Sequence, residues 1–598
     1  MQTKFLKITS WLLVSFFISI NVTAQDTIVI GFGDHYGVQV ASSTPQNGQS
    51  PIKTLGSEGF LPNMNASSRF LAQATFGYDL DDINNVMAVG QEAWITQQFA
   101  IPMATSLTSR VQTYHTNART ALGDPNTGTR SNWWDNAWWN YHMTSNDLLR
   151  QKVAMALSQL IVISELSGFG GNPYALSSYY DIMLQNAFTN YRTILQKVTY
   201  HPSMGEYLTF LNNPKTNLSL NQFPDENYSR EIMQLFTIGT NMLNMDGSVI
   251  MDGQNQPVPT YDNEDIFELS KVFTGLTWAD RTSFGRTALT STSYLQDMVM
   301  WETFHEPGTK TLLNGFIIPD RNPVNGNADI TDALNHLFNH PNVPPFVSLF
   351  LIQRLVTDNP SSAYIQDVAQ VFVNNGAGVR GDMKAIIKAI LLHPEATSCG
   401  SGDLPTFGGL REPFARYMQI NKAFNASTPS GIYRNDMNNV YNFTGQRPLT
   451  SPSVFNFFQR DYQPIGAVEE ASKVAPVFQI TNAQTVAGYL SGVWEWVLDN
   501  NPADEGQLFT GEVSTTYANQ ISSFDFTAEK TLVDDDKLHI LIDKYNLLLA
   551  QGNLTQPTID IILSAVKQLP NTNDTERERR ARFTAYLVMS SPEYLINR

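Results

Sequence analysis

From residue 65 to the end of the chain, apolar side chains return three and four positions apart, segment after segment, and that period admits helices and little else. The clearest case is 147–164, where Leu149, Val153, Ala156, Leu157, Leu160 and Ile161 share one face and Asn146 stands ready as a cap. Asp79 and Asp82 predict a capping-box start for a helix carrying Leu80, Ile83, Val86 and Met87, which Gly90 ends. Similar stripes predict helices over 94–99, 178–191, 193–200, 204–212, 227–238, 263–275, 329–339, 344–356, 362–374 and 381–392. Beyond Gly400 they recur near 411–425, 479–498, 537–550, 556–568 and 576–589, between long loops. Strand patterns are few, with a hairpin expected around 247–260. The fold class expected is mainly α, a large multi-helix globular protein with a main domain over 65–400 and a C-terminal helical subdomain over 401–598 packed on it.

The amino end reads differently. Lys4 and Lys7 precede a compact apolar run at 11–20 (WLLVSFFISI), and Val22, Thr23 and Ala24 follow with the small residues a signal peptidase accepts, placing the cut before Gln25. The run is about half the ~20 residues needed to span a bilayer, so it reads as a removed leader and not as an anchor. Residues 25–64 are rich in Ser, Thr, Pro, Asn and Gly and read as an arm or linker after a short strand-like stretch at 27–30. No later stretch is long and apolar enough to span a membrane, and the chain is expected to be exported, to the periplasm or beyond.

A formal charge of −17 opposes nucleic acid and anionic membranes at long range. Cys399 is the only cysteine, so no disulfide can form within the chain, and its Gly-rich loop gives no sign of a catalytic thiol.

Familiar catalytic patterns fail on spacing. Gly31, Gly33 and Gly37 follow a strand-like run but are set as G-x-G-x-x-x-G, and the residues after them cannot open a helix onto a pyrophosphate. There is no G-x-S-x-G elbow, Walker loop or H-E-x-x-H. His336 and His340 are four apart, yet lack a third ligand in sequence. His201, His340 and His393 each precede a proline, which reads as a helix stop with the imidazole near the last carbonyls. The loops at 320–332 and 246–265 are dense in oxygen ligands but miss the EF-hand pattern, and Asp262 with Asp265 reads as a capping pair. No metal site and no cofactor are assigned.

The most informative stretch is 224–239 (PDENYSREIMQLFTIG). On a helix, Tyr228, Ile232, Leu235 and Phe236 form an apolar stripe, while Asn227, Arg230, Glu231 and Gln234 form a polar one that Glu226 can join through Arg230. A carboxylate, a guanidinium and amides together can hold a polar ligand or position a water. The same set can equally be a buried network that fastens the helix to its neighbours.

This helix, with the acidic capped helix ending FTGLTW after it, resembles the bacterial proteins grouped as domain of unknown function 1800. So do 68–77 (SRFLAQATFG), 149–153 (LRQKV), 304–310 (FHEPGTK) with Leu313 and Gly315, His340-Pro341, 451–456 (SPSVFN) and 591–595 (SPEYL). The resemblance covers about residues 65–598 and implies an exported helical protein without an activity to carry over. Its matched polar positions are Glu226, Asn227, Arg230, Glu231, His305 and Lys310. Gln234 and Phe236 stand where many relatives carry Glu and His, and 156–158 (ALS) replaces a Trp-His stretch of some relatives, which puts any chemistry of those groups in doubt here. One expectation is an exported enzyme, a hydrolase on an extracellular polymer. Glu231 would then be the acid or base, Glu226, Asn227 and Arg230 would bind, and His305 with Lys310 would approach from another segment. The other is a non-catalytic envelope binding or scaffold protein in which these residues form an internal polar clasp.

Overall fold

The computed structural model describes residues 27–30, 38–41, 60–285, 290–398, 406–499, 519–520 and 522–598. The leader, most of the 25–64 arm, the glycines at 31–37 and Cys399 lie outside these residues. The strand-like stretch Thr27–Ile30 pairs antiparallel with Val38–Ala41.

Helices dominate, and among the described residues the four small sheets are two-stranded. The capping chemistry read from the sequence is present: Asp79 with Asp82, and Asp262 with Asp265, each form a capping box. The periodic stretches at 537–550, 556–568 and 576–589 become the helices Leu538–Ala550, Gln556–Lys567 and Asp574–Met589. The reversal expected around 247–260 is there, bridged at Met251↔Pro257, and a second one, bridged at Leu243↔Val249, precedes it.

Among the described residues, four helices of seven residues or more escape the periodicity argument: Phe60–Ala74, Leu107–Leu122, Asn132–Thr144 and Asn438–Thr444. The third shows why. Trp133, Trp134, Trp138, Trp139, Tyr141 and His142 of Asn132–Thr144 are all fully buried, so the helix has no solvent face to write a stripe. One hydrophobic cluster runs from Met64 to Tyr594 and crosses residue 400. Arg447 crosses it too, pairing with Asp135 at 3.1 Å and with Glu165, and donating to the Asp436 carbonyl at 3.2 Å.

The His-Pro steps work differently from the sequence expectation. Each imidazole turns forward: Nδ1 of His201, His340 and His393 accepts the backbone N–H two residues on, at 3.2 Å in every case. Each caps the start of the next segment instead of binding the carbonyls of the preceding helix, because proline supplies no N–H and leaves the next donor to be satisfied. Burial drives His201 down to about 3 and His340 down to about 4, which keeps those nitrogens free to accept. His336, offered by spacing as a companion to His340, is bonded through Nε2 to the Leu313 carbonyl at 2.9 Å and stacks on Phe316.

The 227–238 helix also departs from regularity. It is α-helical over Asn227–Glu231 and a π-helix over Ile232–Thr237. Its exit is held by Asn342, which is fully buried. The Asn342 amide donates to the carbonyls of Ile238 and Asn241 at 2.8 Å and accepts from the Leu243 N–H at 3.0 Å. Asn342→Ala strands all three backbone groups, and we expect it to lower unfolding free energy by about 3 kcal/mol in urea denaturation, against a few tenths for an exposed loop asparagine.

Candidate functional site

The residues singled out by sequence fall into two separate arrangements. Glu226 and Arg230 form an ion pair at 3.4 Å with both side chains about two-fifths exposed, a geometry that solvent screens. The Asn227 amide reaches the Thr209 hydroxyl at 3.4 Å. Glu231 is buried, and its Oε2 has no hydrogen-bond partner. Burial raises its carboxyl above the usual range, with Arg230 opposing the shift.

His305 and Lys310 both converge on Asp329. The His305 imidazole meets Asp329 through Nε2 at 3.1 Å and the Thr274 carbonyl through Nδ1 at 2.9 Å. Lys310 Nζ donates to Asp329 at 2.6 Å and to the carbonyls of Glu306 and Gly308 at 2.8 and 3.3 Å. Arg321 closes the set by pairing with Asp329 and Asp332. No hydrogen bond or ion pair among the described residues joins this clasp to Glu226, Asn227, Arg230 or Glu231. Burial alone would raise Asp329, but the bonds from His305 and Lys310 outweigh it and hold its carboxyl below the ordinary value.

A third arrangement went unread in the sequence. Lys152, on Leu148–Leu160, points past the Phe76 ring, 5.2 Å from its centre, into a cavity of about 60 Å³. Arg354 and Asp358, at and beyond the end of Val343–Leu355, line the same cavity with Arg411 and Glu412. Lys152 forms no ion pair among the described residues. Burial pulls its ammonium down to about 8; Glu412 opposes, while Arg411 and Arg354 push the same way as burial. Asp358 is pushed up to about 7 by burial, against Arg354 and with help from Glu412. Gly409 makes this placement possible, because a Cβ there would sit 2.7 Å from the Asp358 carboxyl carbon. Glu412 is fixed by two amides, Gln159 and Gln446, each donating to Oε2 at 2.6 Å.

A larger cavity of about 280 Å³ shares a wall with the first. Gln159 lines it while bonding Glu412 of the smaller one, and Phe350 and Phe458 line it while stacking on Arg354 at 5.5 and 4.7 Å. Gln234 and Leu235 of the π-helix and 454–456 of the SPSVFN stretch complete much of its lining. The loop bringing in that stretch is bent by left-handed Leu449 (φ 56°) and Asn456 (φ 67°), and backbone strain of this kind clusters at functional sites. Thus 68–77, 149–153, 224–239 and 451–456, which sequence marked separately, each contribute lining residues to one of two adjoining cavities. The signal available for the missed charges was slight: Gln353-Arg354 within an apolar run, and Arg411-Glu412 before Pro413. Among the described residues no group of three or more His, Cys, Asp or Glu is arranged to hold a metal ion, and no helix is long and apolar enough to cross a membrane.

The clasp has a direct stability consequence. Asp329→Asn leaves Lys310 buried without its counter-charge and should cost about 3–5 kcal/mol near neutral pH, read as a loss of urea midpoint. Because the folded carboxyl lies below its unfolded value, the contribution of Asp329 is present above the unfolded value near pH 4 and is lost as pH falls through the folded one. The gap between wild type and variant should therefore narrow below about pH 4.

No curated protein matches this chain, and no solved structure does. The family model described as "Protein of unknown function (DUF1800)" matches residues 69–596, nearly the whole length. The chain belongs to that family.

Proposed function

We propose that this chain is an exported enzyme, a hydrolase on an extracellular polymer, and that its acid–base chemistry takes place in the cavity lined by Lys152 and Asp358. The export part of the reading rests on the leader-like amino end. The observation that carries the catalytic part is the pair itself: a carboxyl raised to about 7 and an ammonium lowered to about 8 line one cavity, so both protons move near neutral pH. In the 7–8 window Asp358 takes the proton of an attacking water and Lys152 delivers one to the departing group. Arg354 and Arg411 bring positive charge to the same lining and stabilise negative charge that develops as the bond breaks. His305 and Lys310 are left to the Asp329 clasp, where they hold the 304–310 loop against Gly326–Asn339.

The alternative, a binding or scaffold protein, draws on Glu412, whose carboxylate is engaged by two glutamines from different segments, as an internal fastening would be. Stability separates the two readings. A carboxyl whose folded value is raised contributes stability that is full below its unfolded value and lost as pH rises through the folded one. Above pH 7, ionised Asp358 is therefore a net strain on the fold. We expect Asp358→Asn to raise Tm at pH 8, by ~1–3 °C, where a fastening role predicts a fall.

Turnover supplies the second check. Reducing-end release from soluble acidic polysaccharides should follow a bell with limbs near pH 7 and 8. Asp358→Asn and Lys152→Met should each lower it by roughly 10²-fold or more. Unchanged rates in both variants would remove this site from the chemistry.

A further inference from the structure

We propose that the larger cavity is a subsite for a ring-bearing carboxylate, a uronic-acid unit of a polysaccharide, with Arg460 holding the carboxylate; this rests on the catalytic reading of the smaller cavity and names its substrate class.

Arg460 is the residue that points to an anion. Its guanidinium lies over the Phe346 ring at 4.1 Å, and Nη1 is buried with no hydrogen-bond partner. No carboxylate among the described residues stands within ion-pair distance of it. Burial brings it down only to about 10, so it is charged at neutral pH. Asp461, the next residue and part of the same lining, acts on it only from beyond ion-pair distance, and a carboxylate is the group whose two oxygens match its planar fork.

The rest of the lining describes what is attached to that carboxylate. Gln159, Gln234, Asn456 and Gln459 bring amides, each with donor and acceptor, which suit hydroxyls better than a purely apolar body. Gln234 accepts from the Tyr261 hydroxyl at 3.3 Å, and its NH2 has no partner among the described residues. Phe455, 45% exposed at the margin, and Phe350 and Phe458 deeper in, offer apolar surface for the C–H face of a ring. The volume of about 280 Å³ is at the low end of the roughly 300–1,000 Å³ typical of small-molecule sites, so it takes one ring and not a run of them. The acid–base cavity lies on the far side of Gln159, Glu412 and Arg354, next to this one.

The test is calorimetric and saturation-transfer binding of sodium galacturonate, glucose and inorganic phosphate to the whole mature protein. Galacturonate should bind at least about ten-fold more tightly than glucose, and Arg460→Gln should remove at least that factor. Phe455→Ala, at an exposed position that leaves the fold intact, should weaken galacturonate several-fold, so the proposal does not depend on the Arg460 variant folding. Asp358→Asn should leave this binding unchanged. Equal binding of glucose, undiminished binding in both the Arg460 and Phe455 variants, phosphate binding as tightly as galacturonate, or no galacturonate binding overturns the proposal. Binding that depends on Arg460 in a protein whose turnover survives Asp358→Asn and Lys152→Met would sustain the subsite and sink the acid–base reading, so the two fail separately.

Discussion

Charge buried inside a helical, mostly apolar core must find partners or change its protonation, and the arrangement of this molecule reflects how each buried charge meets that demand. At Asp329 the demand is fully met: a lysine, a histidine and an arginine share one carboxylate, and the loop at 304–310 is locked to the helix behind it. At Arg447 it is met by Asp135 and Glu165, which tie the Trp-rich helix to the segment before Pro448. At Lys152 and Asp358 it is met only in part. These two are held by burial and by the field of Arg354, Arg411 and Glu412, without a close ion pair among the described residues, and their proton affinities move toward neutrality instead.

That contrast distinguishes fastening from chemistry within one chain. A saturated network resists change, since each proton or charge removed strands its neighbours. A carboxyl and an amine left under-partnered beside a cavity exchange protons at small cost and destabilise the fold slightly while doing so. The larger cavity continues the pattern with Arg460, whose stacking on Phe346 orients a guanidinium that has no close ion pair among the described residues, Asp461 acting on it from farther off.

Much of the fold was legible in the sequence, because a helix with one wet face writes its period directly: 362–374 and 556–568 are examples, and the aspartate capping boxes marked two starts. Asn132–Thr144 was not legible, since a helix buried on all sides has no polar face to mark the period. Of the site, the segments were readable and their partnerships were not. The resemblance pointed to 68–77, 149–153, 224–239 and 451–456, yet nothing local says that Phe76, Lys152, Gln234 and Asn456 line two cavities with a common wall. His305 and Lys310 look chemical in the sequence because their residue types are versatile; their partner Asp329 lies 24 and 19 positions away, in the stretch 320–332 that is dense in oxygen ligands. The π-helix was equally hidden, because widening of the turn at Ile232–Thr237 depends on backbone bonds that composition does not record.

The central claim is that Asp358 titrates near neutrality in the folded protein. Its side-chain carboxyl carbon can be followed by NMR in protein labelled at aspartate, with Asp358→Asn supplying the assignment. The account predicts a midpoint near 7. A midpoint at or below about 4, the value of an unperturbed aspartate, would contradict it.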